Sequence, residues 1–219
     1  IYTLSLHDAL PIWSARFFMG LTMDAVSLIR TRLRASVAAK EDFVAAQAAD
    51  LQRLATMMRQ SLEAGGKMLV FGNGGSAADA QHFAAEFVNR FLLNRRPLAA
   101  LALTTDSSAL TAIANDFAFE DVFARQIEAL GKKADLALAI STSGNSENVL
   151  RGVLAARRIG MPCAALTGGL KSPGGRLAPL CDLVLNVPCE ATPQIQECHL
   201  FIEHLLCELV ERALCAEPA

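Results

Sequence analysis

The sequence predicts one α/β domain in three layers, a parallel sheet flanked by helices on both faces, with a helical hairpin ahead of it. Three observations carry this. Short, continuously apolar runs alternate with amphipathic stretches, the pattern of strands buried on both faces between crossover helices. Two of the runs end in glycine- or serine-rich turns that lead straight into a helical stretch, where open α/β sheets bind their ligands. The chain has 219 residues, 53% of them hydrophobic, which suits one full core better than two.

The elements follow in chain order. The opening, with IYTLSLHDALPIW at its head, looks like a translated sequencing adapter and lacks the basic start, long apolar middle and cleavage site of a signal peptide. Residues 1–22 are therefore expected to be a non-native leader, with a single domain over 23–219 and no role for His7 or Trp13. Between 24 and 64, Val26, Ile29, Leu33 and Val37, then Val44, Leu51, Leu54 and Met58, recur at helical spacing before Gly65-Gly66 stops the helix. This segment is the expected hairpin. Strands are predicted at 67–71, 97–103, 135–141, 162–167 and 183–187. Helices are predicted at 77–91, 107–114, 119–130, 147–158 and 193–214. No internal repeat or low-complexity tract interrupts the series.

Composition excludes several classes. A formal net charge of −2 gives no pull toward nucleic acid or anionic membranes, and no apolar run is long enough to span a bilayer. Any anionic ligand must be met by local dipoles and a few cations. The six cysteines, Cys163, Cys181, Cys189, Cys198, Cys207 and Cys215, make no CxxC pair, so zinc ribbons and thioredoxin-like chemistry have no support. They read as structural thiols of a cytoplasmic protein.

Two loops carry the functional signal. Ser141-Thr142-Ser143-Gly144-Asn145-Ser146 leaves a strand and enters a helix, and hydroxyls with free N–H groups at a helix start hold phosphate without a lysine cluster. Ser146 is also a natural N-cap, the plainer reading. Gly72-Asn73-Gly74-Gly75-Ser76 is a second such turn, whose glycines let backbone approach a ligand. It has neither the GxGxxG spacing of dinucleotide sites nor the Gly-Lys-Ser/Thr ending of a P-loop.

The blocks FGNGGSAADAQHFAAEFVNRF, IANDFAFEDVF, ISTSGNSENVL and TPQIQECHLFIEH together resemble, in order, the phosphoheptose isomerases of the SIS-domain family, from about Met23 onward. The resemblance implies a homotetramer that converts D-sedoheptulose 7-phosphate to D-glycero-D-manno-heptose 7-phosphate, toward bacterial heptose and lipopolysaccharide. It implies phosphate binding by Ser141, Thr142, Ser143 and Ser146, and sugar contacts from Asn73, Gly74, Gly75, Asn115 and Asp116. It further implies one zinc per subunit on His82, Glu86, Gln196 and His204, with Glu86 and His204 as the acid/base pair. Gln196 and Glu86 also face substrate. Gln194 departs from an expected arginine, leaving Arg90 as a candidate cation.

The residues by themselves say less. His82 and Glu86, four apart, share a helix face and alone would read as a surface pair; their place beside the glycine loop favours a site. On the last helix Gln196, His199, Glu203, His204 and Glu208 all compete, and periodicity selects none. Gln196 and His204 are eight apart, ~12 Å along a helix axis, so they reach one point only by leaning together. His199 reads equally as a core or partner-facing histidine.

Removing a proton α to a carbonyl and returning it to the neighbouring carbon needs a base and an acid, which a carboxylate and an imidazole can supply. One rival is a non-enzymatic SIS protein like the DnaA initiator-associating protein, a class that lacks the counterparts of Glu86 and His204. An isomerase for another sugar phosphate is a second. A sugar-phosphate-sensing transcription factor would need a DNA-binding domain, for which the chain has no room or basic patch.

Overall fold

The structure, a computed structural model, describes residues 24–215, so the expected leader lies outside the described residues. The chain divides into two units, 1–35 and 36–219. In the first, the described residues are the opening of helix α1 (Ala25–Glu63), with Val26, Ile29 and Leu33 exposed.

The expected hairpin is not formed. Residues 25–63 make one helix with a break in dihedrals at Gln47 (φ −135°, ψ 18°). The reason is compositional: the segment contains neither glycine nor proline, so nothing supplies the reversal a hairpin needs. The Gln47 side chain explains the kink's location. Its amide donates to the Asn186 carbonyl (2.7 Å) and accepts from the Asn186 N–H (3.0 Å), satisfying the outer edge of the last strand, which would otherwise be unpaired.

From there the alternation holds: β1 (Met68–Gly72), α2 (Gly75–Val88), β2 (Ala100–Ala102), α3 (Ser107–Asp116), α4 (Val122–Leu130), β3 (Leu136–Ile140), α5 (Glu147–Ile159), β4 (Cys163–Gly168), β5 (Leu183–Val187) and α6 (Thr192–Cys215). Two 3-10 turns, Phe119–Asp121 and Gly175–Leu180, fill connections. All strand pairs are parallel, in the order β2-β1-β3-β4-β5.

The strands alternate their burial between the two faces. Met68 and Val70 meet Phe43, Leu54 and Met58 of α1, Phe83 and Phe87 of α2, and Ile202 and Leu206 of α6. Leu69 and Phe71 meet Phe123 and Ile127 of α4 and Val149 and Val153 of α5. Each such fully buried side chain contributes about 1.5–3 kcal/mol, so both helical layers are tightly held to the sheet. Strand order reverses between β1 and β3, and Gly72 pairs with Ile140 in register. The glycine and serine loops therefore leave the sheet level with each other, at the crevice where open α/β sheets bind ligands.

Among the described helices none is long and apolar enough to cross a membrane. All six cysteines are free. Burial pushes the Cys163 thiol up to about 12 and that of Cys198 to about 11, so both stay protonated, inert fillers as expected. Cys181, Cys189 and Cys215 are only half-buried.

Candidate active site

The two loops are held together by side chains. Asn73 and Asn148 exchange reciprocal amide hydrogen bonds, each 2.8 Å, tying the glycine loop to the first turn of α5. Asn73 is thus a strut as well as a candidate sugar contact. Gly74 takes φ +56°, a left-handed value suited to glycine, and no side chain caps α2. In the serine loop, Ser146 occupies the N-cap position of α5 but makes no capping bond; its hydroxyl lies 3.5 Å from that of Ser141. The capping reading of Ser146 is therefore not realised, and its hydroxyl is free for a ligand. Thr142, Ser143 and Asn145 line a cleft of about 220 Å³ together with Lys171, Ser172 and Thr192.

Helices α2 and α6 form the other wall. Gln196 donates to Asp79 at 3.4 Å, and its amide fills the space over Gly75, where any Cβ would collide with it. Further along, His204 Nε2 lies 2.9 Å from His82 Nε2, and His82 Nε2 is 3.7 Å from a Glu86 oxygen. Two imidazole nitrogens this close share one proton, one ring donating and the other accepting. The His204 ring is stacked on Phe91 at 5.5 Å.

The eight-residue separation of Gln196 and His204 is accommodated without bending. Each meets α2 at its own level, Gln196 at Gly75 and Asp79, His204 at His82. The structure thus gathers His82, Glu86 and His204, and puts Gln196 beside Asp79. Among the described residues no three His, Cys, Asp or Glu side chains close into a metal site by themselves.

Burial sets the electrostatics behind this seam. Asp79 is held above the ordinary carboxylate range by burial, offset in part by the Gln196 hydrogen bond and His82. Glu203 is fully buried, with neither oxygen partnered; burial, and then Asp79, push its pKa well above the usual carboxylate range, which favours the protonated form. His199 is a core histidine. Its Nε2 lies 3.0 Å from the Thr167 carbonyl, and burial lowers its pKa to about 4.

The SIS domain family model matches residues 33–168, more than half of the chain and both loops. The phosphoheptose isomerase of Desulfovibrio desulfuricans is 54% identical over 187 residues, covering 85% of this chain and 88% of that protein. The chain belongs to the phosphoheptose isomerase family of SIS-domain proteins. Solved structures agree. A phosphoheptose isomerase from Neisseria gonorrhoeae superposes with TM-score 0.80 at 43% identity, covering 85% of this chain and 98% of that one. One from Francisella tularensis gives 0.82 at 39%, covering 87% and 100%.

Not every residue expected from the phosphoheptose isomerase motifs joins the cluster. Asn115 donates to Asp116 at 2.7 Å; both are exposed at the end of α3 and bond to no other residue of the group. Arg90 is exposed and donates to the Phe91 carbonyl at 3.3 Å. Gln194 is buried with its carbonyl oxygen unpartnered. Asp79 and Asn148 were missed. Asp79 lies three residues before His82, on the same helix face, and that spacing was the available signal. Nothing local marked Asn148, whose role comes from the loop across the crevice.

Proposed function

We propose that the chain isomerises D-sedoheptulose 7-phosphate to D-glycero-D-manno-heptose 7-phosphate, supplying heptose for lipopolysaccharide or a related bacterial glycan. The observation that supports this best is the meeting of Glu86, His82 and His204 on the seam beside two loops suited to phosphate and sugar. The serine loop anchors the phosphate through its hydroxyls and backbone N–H groups, which positions the far end of the sugar at the seam. Glu86 and His204 exchange protons with carbons 1 and 2: one removes the proton α to the carbonyl, the other delivers it to the neighbouring carbon. His82 stands between them, within hydrogen-bonding reach of His204 and 3.7 Å from Glu86.

Two imidazoles, a carboxylate and a carboxamide are acceptable ligands of zinc, and the facing nitrogens of His82 and His204 fit such an ion. His82, Glu86 and His204 would hold it, and Gln196, the fourth expected ligand, would have to leave Asp79 to join them. Bound there, zinc would polarise the substrate carbonyl and stabilise the enediolate oxygen. We further propose a homotetramer, because among the described residues Val26, Ile29 and Leu33 present an exposed apolar stripe of the kind that marks an interface, and a cytoplasmic site for a chain with six free cysteines.

The decisive experiment incubates the purified protein with sedoheptulose 7-phosphate and follows the aldose. Binding without turnover would instead favour a partner-binding SIS protein, and turnover of other ketose phosphates alone would move the substrate assignment.

A further inference from the structure

The chain after α2 turns back under α6, and one buried ion pair holds it there. Glu211 of α6 and Arg95 have side chains only 1% and 4% exposed, with Nε to Oε1 at 2.8 Å. The same carboxylate accepts the N–H groups of Phe91 (3.1 Å), Leu92 (2.7 Å) and Leu93 (2.8 Å). Besides a bond to the Arg96 carbonyl (3.0 Å), the guanidinium spends its other donors on the end of α2. Nη2 reaches the carbonyl of Glu86 (2.9 Å) and Nη1 that of Phe87 (3.0 Å), two acceptors that the helix leaves unpaired at its terminus.

We propose that Glu211 and Arg95 are positioning residues, a clamp that fixes α2 against α6 at the register where Glu86, His82 and His204 meet. The proposal rests on the isomerase reading of that seam. Two connections run from the clamp to the acid/base pair. Arg95 holds the backbone of Glu86 directly. Glu211 holds the N–H of Phe91, whose ring lies nearly parallel to that of His204, at 24° and 5.5 Å. Neither clamp residue touches the reacting atoms. An apolar pair would hold two helices together as firmly as a buried ion pair does, but it could not accept three N–H groups and cap a helix end together. The arrangement therefore specifies geometry, and a misplacement of about 1 Å is enough to cost 10²-fold in rate.

The Lys67–Asp135 pair is the control. It is also buried at its acid (2.6 Å, 2% exposed) and also takes backbone donors, from Lys67 and Lys132, but it sits at the amino ends of β1 and β3, opposite the seam. Glu211→Gln is expected to lower kcat 10- to 100-fold, with KM for sedoheptulose 7-phosphate changing less than about threefold. It should also move the His204 imidazole resonance in a histidine-labelled NMR spectrum, because the Phe91 ring shifts. Asp135→Asn should lower the melting temperature comparably and leave kcat and that resonance in place. Arg95→Lys keeps the charge but gives up the Glu86 and Phe87 carbonyls; it should show the same kcat loss, and it carries the test if Glu211→Gln fails to fold. Folded clamp variants with parental kcat and an unmoved His204 resonance would overturn the proposal. If the parent protein does not isomerise the sugar phosphate, the functional reading fails, and the clamp stands or falls on the His204 resonance alone.

Discussion

Gly75 lets the site be perturbed with almost no change to the fold. It begins α2 and does not take a left-handed φ, so an alanine fits the backbone and gains about 0.5–1 kcal/mol of helix propensity. The nearest atoms it strikes all belong to the amide of Gln196, the far end of a flexible side chain. To reach ordinary contact distance that amide must withdraw by about 2 Å, giving up its 3.4 Å bond to Asp79. A hydrogen bond of that length sits at the low end of the usual 0.5–1.5 kcal/mol or so. The two terms nearly cancel. Gly75→Ala should therefore shift the melting temperature by no more than about 4 °C, while turnover of sedoheptulose 7-phosphate falls about 10- to 100-fold because Gln196 has left its place. Differential scanning fluorimetry and a coupled aldose assay read the two quantities. Gly144→Ala is the contrast: φ is +64° and the Cβ would meet the backbone carbonyl of Gly174, so stability and activity should fall together. Full turnover by Gly75→Ala would remove Gln196 from the site. A loss of several kcal/mol in its stability would show that backbone yields there, and the reasoning would be wrong.

Glu86→Gln and His204→Asn should each lower kcat about 10²–10⁴-fold, with the double variant costing less than the product because the pair acts as a unit; parental rates in both would refute the assignment. Exhaustive chelation should abolish turnover and added zinc restore it, whereas full activity without metal would leave the quartet with acid/base and hydrogen-bonding roles only. His199 is depressed from 6.5 to about 4 by burial, so its contribution to stability is complete above pH 6.5 and is lost as pH falls toward 4, a difference of about 3 kcal/mol. His199→Gln should lose that component of the acid sensitivity in urea titrations at pH 7 and pH 4; an unchanged pH dependence would mean the ring is hydrated. Light scattering at micromolar concentration should report four subunits, and a stable monomer would leave the apolar stripe of α1 without its proposed partner.

The sheet was legible because its strands are buried on both faces. Residues 68–71 and 136–140 are apolar without a break and fully buried, so no alternation had to be decoded and the loops fell into place at their ends. Strand β2 is shorter than its apolar run, since 97–103 opens with the apolar Pro97, Leu98 and Ala99 but only Ala100–Ala102 pair with β1. The hairpin failed for the opposite reason: two helical series in 24–64 suggest two helices, but the segment has no glycine or proline to reverse the chain. The break that does occur is the kink at Gln47, whose side chain is held 139 residues away at Asn186.

The seam shows where reading one helix at a time stops. Periodicity ranks residues by their face on a single cylinder, and on α6 it put His199 and Glu203 on an equal footing with Gln196 and His204. The selection is made by the neighbour. Where α6 packs on the sheet, His199 and Glu203 are sealed in, and desolvation disfavours the charged form of each. Where α6 runs beside α2, Gln196 and His204 remain half-open and meet partners at two levels. A group that works on a ligand must be able to reach it, which the sealed pair cannot do and the half-open pair can. Three parts of the seam were illegible because each depends on a segment far away in sequence: Asp79 gains its role from Gln196, Asn148 from Asn73, and Glu211 from the turn at 91–95. In each case the residue type was visible, and the tertiary neighbour that gives it a task was not.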